Sequence, residues 1–168
     1  MRGALVLALA AVLASPAQAQ TSAADGIAQY RALLADGNPA DLWEAKGEAL
    51  WKQKRGPKNA SLEACDLGRG PGVVKGAFVE LPRWFSDTRR VQDLESRLLS
   101  CMQLQQGLDA AEIAATPFGR GEQVNLEALV AYIAAESRGL RLNLPQAHAE
   151  ERKMFEAGKR VFFLRAGP

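Results

Sequence analysis

Glycine and proline divide this chain into short segments in which apolar residues recur three or four positions apart, and this pattern constrains the fold most. Such spacing places apolar side chains on one face of a helix. The first segment opens near Asp25 and ends at Gly37-Asn38-Pro39. No run of alternating polar and apolar residues is long enough to build a sheet. The pattern therefore predicts an all-α fold.

The second segment carries the clearest start and stop signals. A helix is predicted from Pro39 to Lys54, with Asn38 as its N-cap and Gly56-Pro57 as its end. One side of this helix is lined by Trp43, Gly47, Leu50 and Trp51. A glycine inside a helix costs about 1 kcal/mol relative to alanine. Gly47 therefore predicts that another helix packs closely against this one.

The middle of the chain is predicted to be irregular because glycines at 68, 70, 72 and 76 interrupt it. Their spacing fits neither a dinucleotide-binding nor a Walker A phosphate loop, so we expect a surface loop that wraps the core. The aromatic pair Trp84 and Phe85 follows, and aromatic side chains of this kind usually fill a core. We expect them to pack inside the domain.

Two later helices are predicted from apolar spacing. One runs from Thr88 to Gln105, with its buried side formed by Val91, Leu94, Leu98 and Cys101. The other is capped by Asn125 and ends at Arg138-Gly139, with its apolar positions at Leu126, Leu129, Val130 and Ile133.

The N-terminus has the pattern of an export signal. Arg2 precedes an apolar run over residues 4–14, and Ala17-Gln18-Ala19 forms a small-residue cleavage site. The run is shorter than the roughly 18 apolar residues of a membrane span. We therefore expect residues 1–19 to be a cleaved signal peptide, and we expect no later segment to span a membrane. About 150 residues remain, which is enough for one core.

Charge does not favour nucleic acid as a partner. The chain has 21 Lys and Arg against 19 Asp and Glu, and loss of Arg2 would leave a single excess positive charge. Nucleic-acid-binding domains instead concentrate basic residues on one surface.

Cys65 and Cys101 are the only cysteines. In an exported protein they favour a structural disulfide, which would stabilise the fold by roughly 4 kcal/mol. A redox or ligand role stays open, although the spacing is unlike C-x-x-C. His148 is the sole histidine, and it lies in an acidic stretch that predicts an exposed side chain. The residues therefore predict no catalytic, cofactor-binding or metal site, and they predict Met102 as a core residue.

Several strings of this chain resemble a known family. The helices WEAKGEALW at 43–51 and LEALVAYI at 126–133 resemble the first and last helices of a c-type cytochrome fold, which cross closely. Longer strings resemble SoxA, the cytochrome subunit of SoxAX in periplasmic thiosulfate oxidation: GNPADLWE at 37–44, KRGPKNASL at 54–62, GPGVVKGA at 70–77, VQDLESRL at 91–98 and AYIAAESRG at 131–139.

The resemblance implies an L-cysteine S-thiosulfotransferase subunit. Such a subunit joins thiosulfate oxidatively to a cysteine of the carrier SoxY, with SoxX as its partner cytochrome, and electrons leave through haem c. The family binds that haem in a C-terminal domain. Some members keep the cytochrome fold in the N-terminal half with a disulfide in place of haem. By that likeness Cys65 matches the lost attachment region and Cys101 the lost axial ligand, so this chain carries no cofactor.

The resemblance also predicts the domain organisation. Residues 20–144 would form a haem-less cytochrome c-like domain. Residues 145–168 would begin a second cytochrome domain that is truncated here, because 157–168 look like its opening helix. A truncated chain would be inactive alone and would expose an apolar end at Val161, Phe162, Phe163 and Leu164. Poor solubility, or disorder after about Gln146, is a further expectation.

Two other classes of function stay open from the residues. The chain could be a haem-free periplasmic binding or adaptor module. It could also be a structural protein with a redox-switchable disulfide, which a measured reduction potential would identify.

Overall fold

A computed structural model describes residues 22–35 and 37–164, so the predicted signal peptide lies outside the described residues. The chain divides into two compact units at Asn38. The first unit contains α1, which spans Ala23–Ala35. Its first turn is closed by Ser22 and Asp25, since the Asp25 N–H donates to the Ser22 hydroxyl and the Ser22 N–H donates to the Asp25 carboxylate.

The second unit is mostly helical, which confirms the predicted class. Its helices are α2 Ala40–Lys52, α3 Leu94–Cys101, α4 Ala110–Ala115, α5 Gln123–Ala135 and α6 Ala149–Phe162, with a short 3₁₀ turn at Phe78–Glu80 and a π-helical turn at Met102–Gln106. A small antiparallel hairpin, which the sequence did not predict, joins β1 Arg83–Phe85 to β2 Arg90–Gln92. Strands of three residues are too short to give an alternating pattern.

The crossing of α2 and α5 confirms the close approach predicted at Gly47. A Cβ atom at this position would overlap the backbone of Ala128 and the side chain of Tyr132. Leu50 and Trp51 are buried beside the crossing. Trp43, however, is exposed, and the Lys46 ammonium lies 5.4 Å from the centre of its ring. Trp43 therefore does not share the burial of Leu50 and Trp51, the residues with which it was predicted to line one side of the helix.

Two helices begin at residues other than those predicted. The helix α2 begins at Ala40, with Pro39 in the N-cap position. The helix α5 begins two residues before Asn125, whose side-chain amide donates to the Glu122 carboxylate from inside the first turn. The same carboxylate pairs with Arg55 at 2.7 Å. The side chain of Asn125 therefore helps to hold an acidic group at the start of α5 instead of capping it.

The helix predicted over 88–105 begins too early. Residues 90–92 belong to β2, and α3 starts at Leu94 because the Asp93 carboxylate accepts a hydrogen bond from the Ser96 N–H at 2.9 Å. Arg89 has a positive φ of 52°, a conformation that turns the chain between the two strands. Leu98 and Cys101 are buried as predicted.

The glycine-containing stretch was predicted to be a surface loop, but several of its residues belong to the core. Its fully buried residues are Leu62, Cys65, Leu67 and Ala77. Backbone hydrogen bonds hold it in place: the Leu62 N–H donates to the Trp51 carbonyl at 3.0 Å, and the Gly72 N–H donates to the Cys65 carbonyl at 2.9 Å. Because these pairs satisfy the backbone, an irregular segment can be buried.

Candidate functional site

Cys65 and Cys101 come together at the centre of the core. Cys65 ends a turn that follows Leu62, and Cys101 is the last residue of α3. Their sulfur atoms form a disulfide with a Cα–Cα distance of 5.7 Å. Both side chains are buried, at 0% and 3% exposure. A bond in this position ties the irregular segment to α3, and it leaves neither thiol available for catalysis or for a ligand.

The donors around this disulfide do not fit a c-type haem. Covalent attachment uses the two thiols and the histidine of C-x-x-C-H, whereas Cys65 is followed by Asp66-Leu67-Gly68. Both thiols are bonded to each other. Met102 is fully buried among apolar side chains, which agrees with its predicted role in the core. These residues therefore do not provide the attachment site of a c-type haem.

His148 has a structural role at the start of α6. Its ring stacks on Trp84 with centroids 4.0 Å apart, and its Nδ1 accepts a hydrogen bond from the Glu150 N–H at 3.2 Å. The side chain is half-buried, so the predicted exposure was wrong. The ring caps the first turn of α6 and attaches that turn to the hairpin.

The Glu151 carboxylate completes this attachment. One of its oxygens accepts from the Trp84 N–H at 2.7 Å, and the other accepts from the His148 N–H at 2.9 Å. Burial raises the pKa of this carboxyl, but the two backbone donors outweigh burial, so the pKa lies below its ordinary value. A buried and ionised carboxylate therefore fixes the start of α6.

Helix α6 leaves an apolar surface. Residues 149–162 are helical, so the predicted disorder after Gln146 was wrong. A cavity of about 480 Å³ lies beside the helix, and its apolar walls include Pro82, Val91, Leu144, Met154, Phe155 and Phe162. As predicted, the apolar residues at the end of the described part of the chain are exposed: Val161, Phe162, Phe163 and Leu164. We call this cavity and these exposed side chains the apolar α6 face.

A buried arginine organises the segment beside the disulfide. The Nε of Arg97 donates to the Asp66 carbonyl at 2.7 Å, and its Nη1 pairs with the Asp87 carboxylate at 2.8 Å. The guanidinium also lies 3.9 Å from the centre of the Phe85 ring. Burial raises the pKa of Asp87, but the Arg97 contacts outweigh it and lower the pKa below its usual value.

Sequence reasoning missed Arg97 and Glu151 because arginine and glutamate are usually exposed. A signal existed only for Glu151. A capping residue followed by glutamate three positions later is a helix-start signature, and His148 and Glu151 have this spacing. Arg97 has no comparable local signal, since its partners lie 10 and 31 positions away.

Across 22–35 and 37–164, no three His, Cys, Asp or Glu side chains are grouped so that they could hold a metal ion. Over the same ranges, no helix combines the length and apolar character needed to cross a membrane.

Comparison with known proteins identifies the family. The sequence model of the SoxA/TsdA cytochrome c domain matches residues 46–142. The L-cysteine S-thiosulfotransferase subunit SoxA of Hydrogenophilus thermoluteolus is 48% identical over 170 residues, which cover 96% of this chain and 62% of that protein. A subunit of the same name from Hydrogenobacter thermophilus is 25% identical over 129 residues, covering 77% of this chain and 47% of the relative. This chain thus spans less than two thirds of the relatives' length. It belongs to the SoxA/TsdA cytochrome c domain family.

Proposed function

We propose that this chain is the haem-free N-terminal part of a SoxA subunit of an L-cysteine S-thiosulfotransferase. Its 48% identity to a subunit of that name supports the assignment. In this proposal residues 1–19 are the signal peptide that exports the chain to the periplasm, residues 20–144 form the N-terminal domain, and residues 145–168 lead into a second, haem-carrying domain. SoxX and the carrier SoxY are the partners of the complete subunit.

The complete enzyme would perform an oxidative conjugation. The S–H bond of a SoxY cysteine breaks, and a new S–S bond forms between that cysteine and the outer sulfur of thiosulfate. One proton and two electrons would be released for each bond formed, and c-type haem held by other parts of the complete enzyme would supply the electron acceptor. In this proposal the described residues supply neither a thiol nor an imidazole to the reaction, because the two thiols are bonded to each other and the imidazole of His148 is used at the start of α6.

The disulfide would replace haem as the covalent centre of a cytochrome-like core. In a cytochrome, a c-type haem in the middle of the core connects different segments of the chain. Here a direct bond between Cys65 and Cys101 links the same irregular segment to a core helix. The domain would therefore retain its helix crossing while losing electron transfer.

The apolar α6 face is the structural observation that best supports this proposal. Exposed apolar patches of this kind mark interfaces in soluble proteins. In this proposal a second domain of the subunit covers this face, and the Hydrogenophilus relative is longer than this chain, which covers 62% of it. Glu151 and Trp84 fix the start of α6, so the helix would present that second domain in a defined orientation.

The first experiment extends the chain. We expect the coding sequence beyond Pro168 to contain a C-x-x-C-H motif. The extended protein, mixed with SoxX and ferric cytochrome, should add thiosulfate to the SoxY cysteine, as followed by intact mass. The present chain should add none under the same conditions. Conjugation by the present chain alone would contradict the proposal, and so would an extended protein without a haem attachment motif.

A second measurement tests the haem-free disulfide. The chain exported to the periplasm should have an intact mass two hydrogens lower than after reduction, and it should show no Soret absorption band. Alkylation without reduction should leave its mass unchanged. Two alkylated thiols, or a Soret band, would contradict the assignment of Cys65 and Cys101.

A further inference from the structure

A groove with a basic lining shares none of its lining residues with the apolar α6 face. It is bounded by the glycine loop 69–76, the 3₁₀ turn Phe78–Glu80 and the segment 140–143, and its volume is about 530 Å³. We call it the basic groove, and its principal lining residues are Arg69, Val73, Lys75, Val79, Leu140 and Arg141. The sequence had suggested only that this glycine loop is not a phosphate loop.

The walls of the groove are held by hydrogen bonds. The Asp66 carboxylate accepts from the Gly68 N–H at 2.6 Å and from the Gly70 N–H at 2.9 Å. On the opposite wall the Asn143 N–H donates to the Val79 carbonyl at 2.8 Å. The groove is therefore formed before any ligand arrives, which lowers the entropic cost of binding.

The lining has an excess of positive charge. Glu80 is the one acidic residue that lines the groove, and its two carboxylate oxygens contact Arg69 at 2.5 Å and Arg83 at 3.4 Å. No salt bridge among the described residues involves Lys75 or Arg141. These two exposed cations therefore form no ion pair with another described residue.

The groove is also lined by aliphatic groups. Val73 is 40% exposed and Leu140 is 53% exposed, and the buried Val79 lies between the two walls. A single small oxyanion would neutralise the cations but would leave these aliphatic surfaces in water. A peptide with carboxylate and aliphatic side chains would satisfy both, and the volume is in the range of sites that hold such ligands.

We propose that the basic groove binds an acidic segment of a partner protein, one in which glutamate or aspartate alternates with aliphatic residues. Lys75 and Arg141 would pair with its carboxylates, while Val73 and Leu140 would cover its aliphatic side chains. The inference rests on the charge and shape of the groove and does not depend on the proposed enzymatic role.

The test is a nuclear magnetic resonance titration of the ¹⁵N-labelled full chain. The probe is a capped six-residue peptide that alternates glutamate and leucine. Saturable shifts should concentrate in the amides of 69–76 and 140–143. The double variant Lys75→Glu/Arg141→Glu should weaken binding by about tenfold or more, because two attractive charge pairs become repulsive. A charge-neutral variant, Lys75→Gln/Arg141→Gln, should weaken it less.

The matched control is Arg89→Glu/Arg90→Glu, which makes the same charge change at exposed positions of the hairpin. It should retain the wild-type affinity within about twofold. Equal weakening by both double variants would overturn the proposal, since it would indicate attraction to net charge only. Shifts caused by potassium thiosulfate but not by the peptide would also overturn it, in favour of a small-oxyanion site. The proposal would also be overturned if millimolar peptide caused no shifts of the amide signals.

Discussion

The crossing of α2 with α5 and the irregular segment 53–92 contribute to one core through different kinds of contact. At the crossing, regular helices bring together a row of apolar side chains: Leu50, Trp51, Leu126, Leu129 and Ile133. The stabilising contacts there are numerous and individually small. The only special position is Gly47, where the two backbones approach too closely for a side chain.

The irregular segment has no repeating pattern, and a few strong interactions hold it. The disulfide joins Cys65 to α3, and Arg97 joins the Asp66 carbonyl to the Asp87 carboxylate. Each of these groups connects parts of the chain that are distant in sequence. Loss of one of them should therefore loosen the whole segment, whereas the helix crossing should tolerate most single changes that preserve volume.

The largest effect should follow removal of the disulfide in the variant Cys65→Ala/Cys101→Ala. The bond closes a loop with a sequence separation of 36, so the chain-entropy relation predicts a loss of about 4 kcal/mol in the free energy of unfolding. Urea denaturation monitored by circular dichroism measures this loss. Hydrogen exchange should increase more in 60–77 than in α2 or α5.

Wild-type protein in a reducing agent is the control, because it should lose a similar amount without any substitution. A loss below about 1 kcal/mol in both samples would show that polar contacts alone hold the irregular segment. The disulfide would then not be a main support of the irregular segment, and this difference from the helix crossing would be wrong.

The next effect should come from Gly47→Ala. Alanine favours a helix by about 1 kcal/mol relative to glycine, but a Cβ atom here would overlap the Ala128 backbone. We expect a net loss of about 2 kcal/mol, since overpacking of a core costs roughly 1–3 kcal/mol and a backbone cannot move aside as a side chain does. Thermal unfolding would measure the change.

Gly158→Ala in α6 is the matched control. Nothing lies within 4 Å of the added Cβ atom, so this variant should be up to about 1 kcal/mol more stable than the wild type. If both alanines stabilise the protein, α2 and α5 do not approach as closely as the structure indicates.

The same contrast explains how far the sequence predicted the structure. Apolar spacing located α2 and α5, and an unfavourable glycine predicted their close contact. The start of α3 was misplaced because Val91 continues the apolar spacing of Leu94 and Leu98, although the Asp93 side chain ends the extended strand there. Local periodicity cannot distinguish a strand residue from a helix residue when the strand is three residues long.

The disulfide could be predicted from the sequence, whereas the contacts around it could not. The predicted export signal and the cysteine count favoured a disulfide between Cys65 and Cys101, since only one pairing is available. The burial of Arg97 could not be predicted, because it depends on three partners brought together by the tertiary fold. Contacts that span many residues leave no periodic trace in a single sequence.

A third effect, no larger than that of Gly47→Ala, is expected for Arg97→Met. Methionine keeps most of the apolar volume against Phe85 but removes the donors to the Asp66 carbonyl and the Asp87 carboxylate. The carboxylate left behind is 47% exposed and can be hydrated, so we expect a loss of about 2 kcal/mol rather than the full cost of an unpaired buried charge. Amide exchange should increase in the hairpin 83–92.

Arg69→Met is the control for that variant, since it also breaks an arginine–carboxylate pair. Arg69 is more exposed, and surface pairs contribute at most about 1 kcal/mol. Equal losses in the two variants would mean that burial of Arg97 has no particular role in holding the irregular segment.

The smallest effect concerns Glu151, and it depends on pH. Because the pKa of this carboxyl is lower in the folded chain than its ordinary value near 4.3, its ionised form stabilises the fold at neutral pH. That contribution is present above about pH 5, and it is lost as the pH falls through the folded pKa. Glu151→Gln should therefore cost about 1 kcal/mol at pH 7.

The difference between wild type and Glu151→Gln should shrink steadily as the pH falls below about 4.3, since protonated glutamate and glutamine are both neutral. Denaturant unfolding from pH 7 to pH 3 would measure this difference. Glu156→Gln, an exposed change in the same helix, should show no such trend. A difference for Glu151 that stays constant across this range would mean that Trp84 and His148 do not bind an ionised carboxylate. The start of α6 would then depend on apolar packing, like the helix crossing, and not on a polar group like the irregular segment.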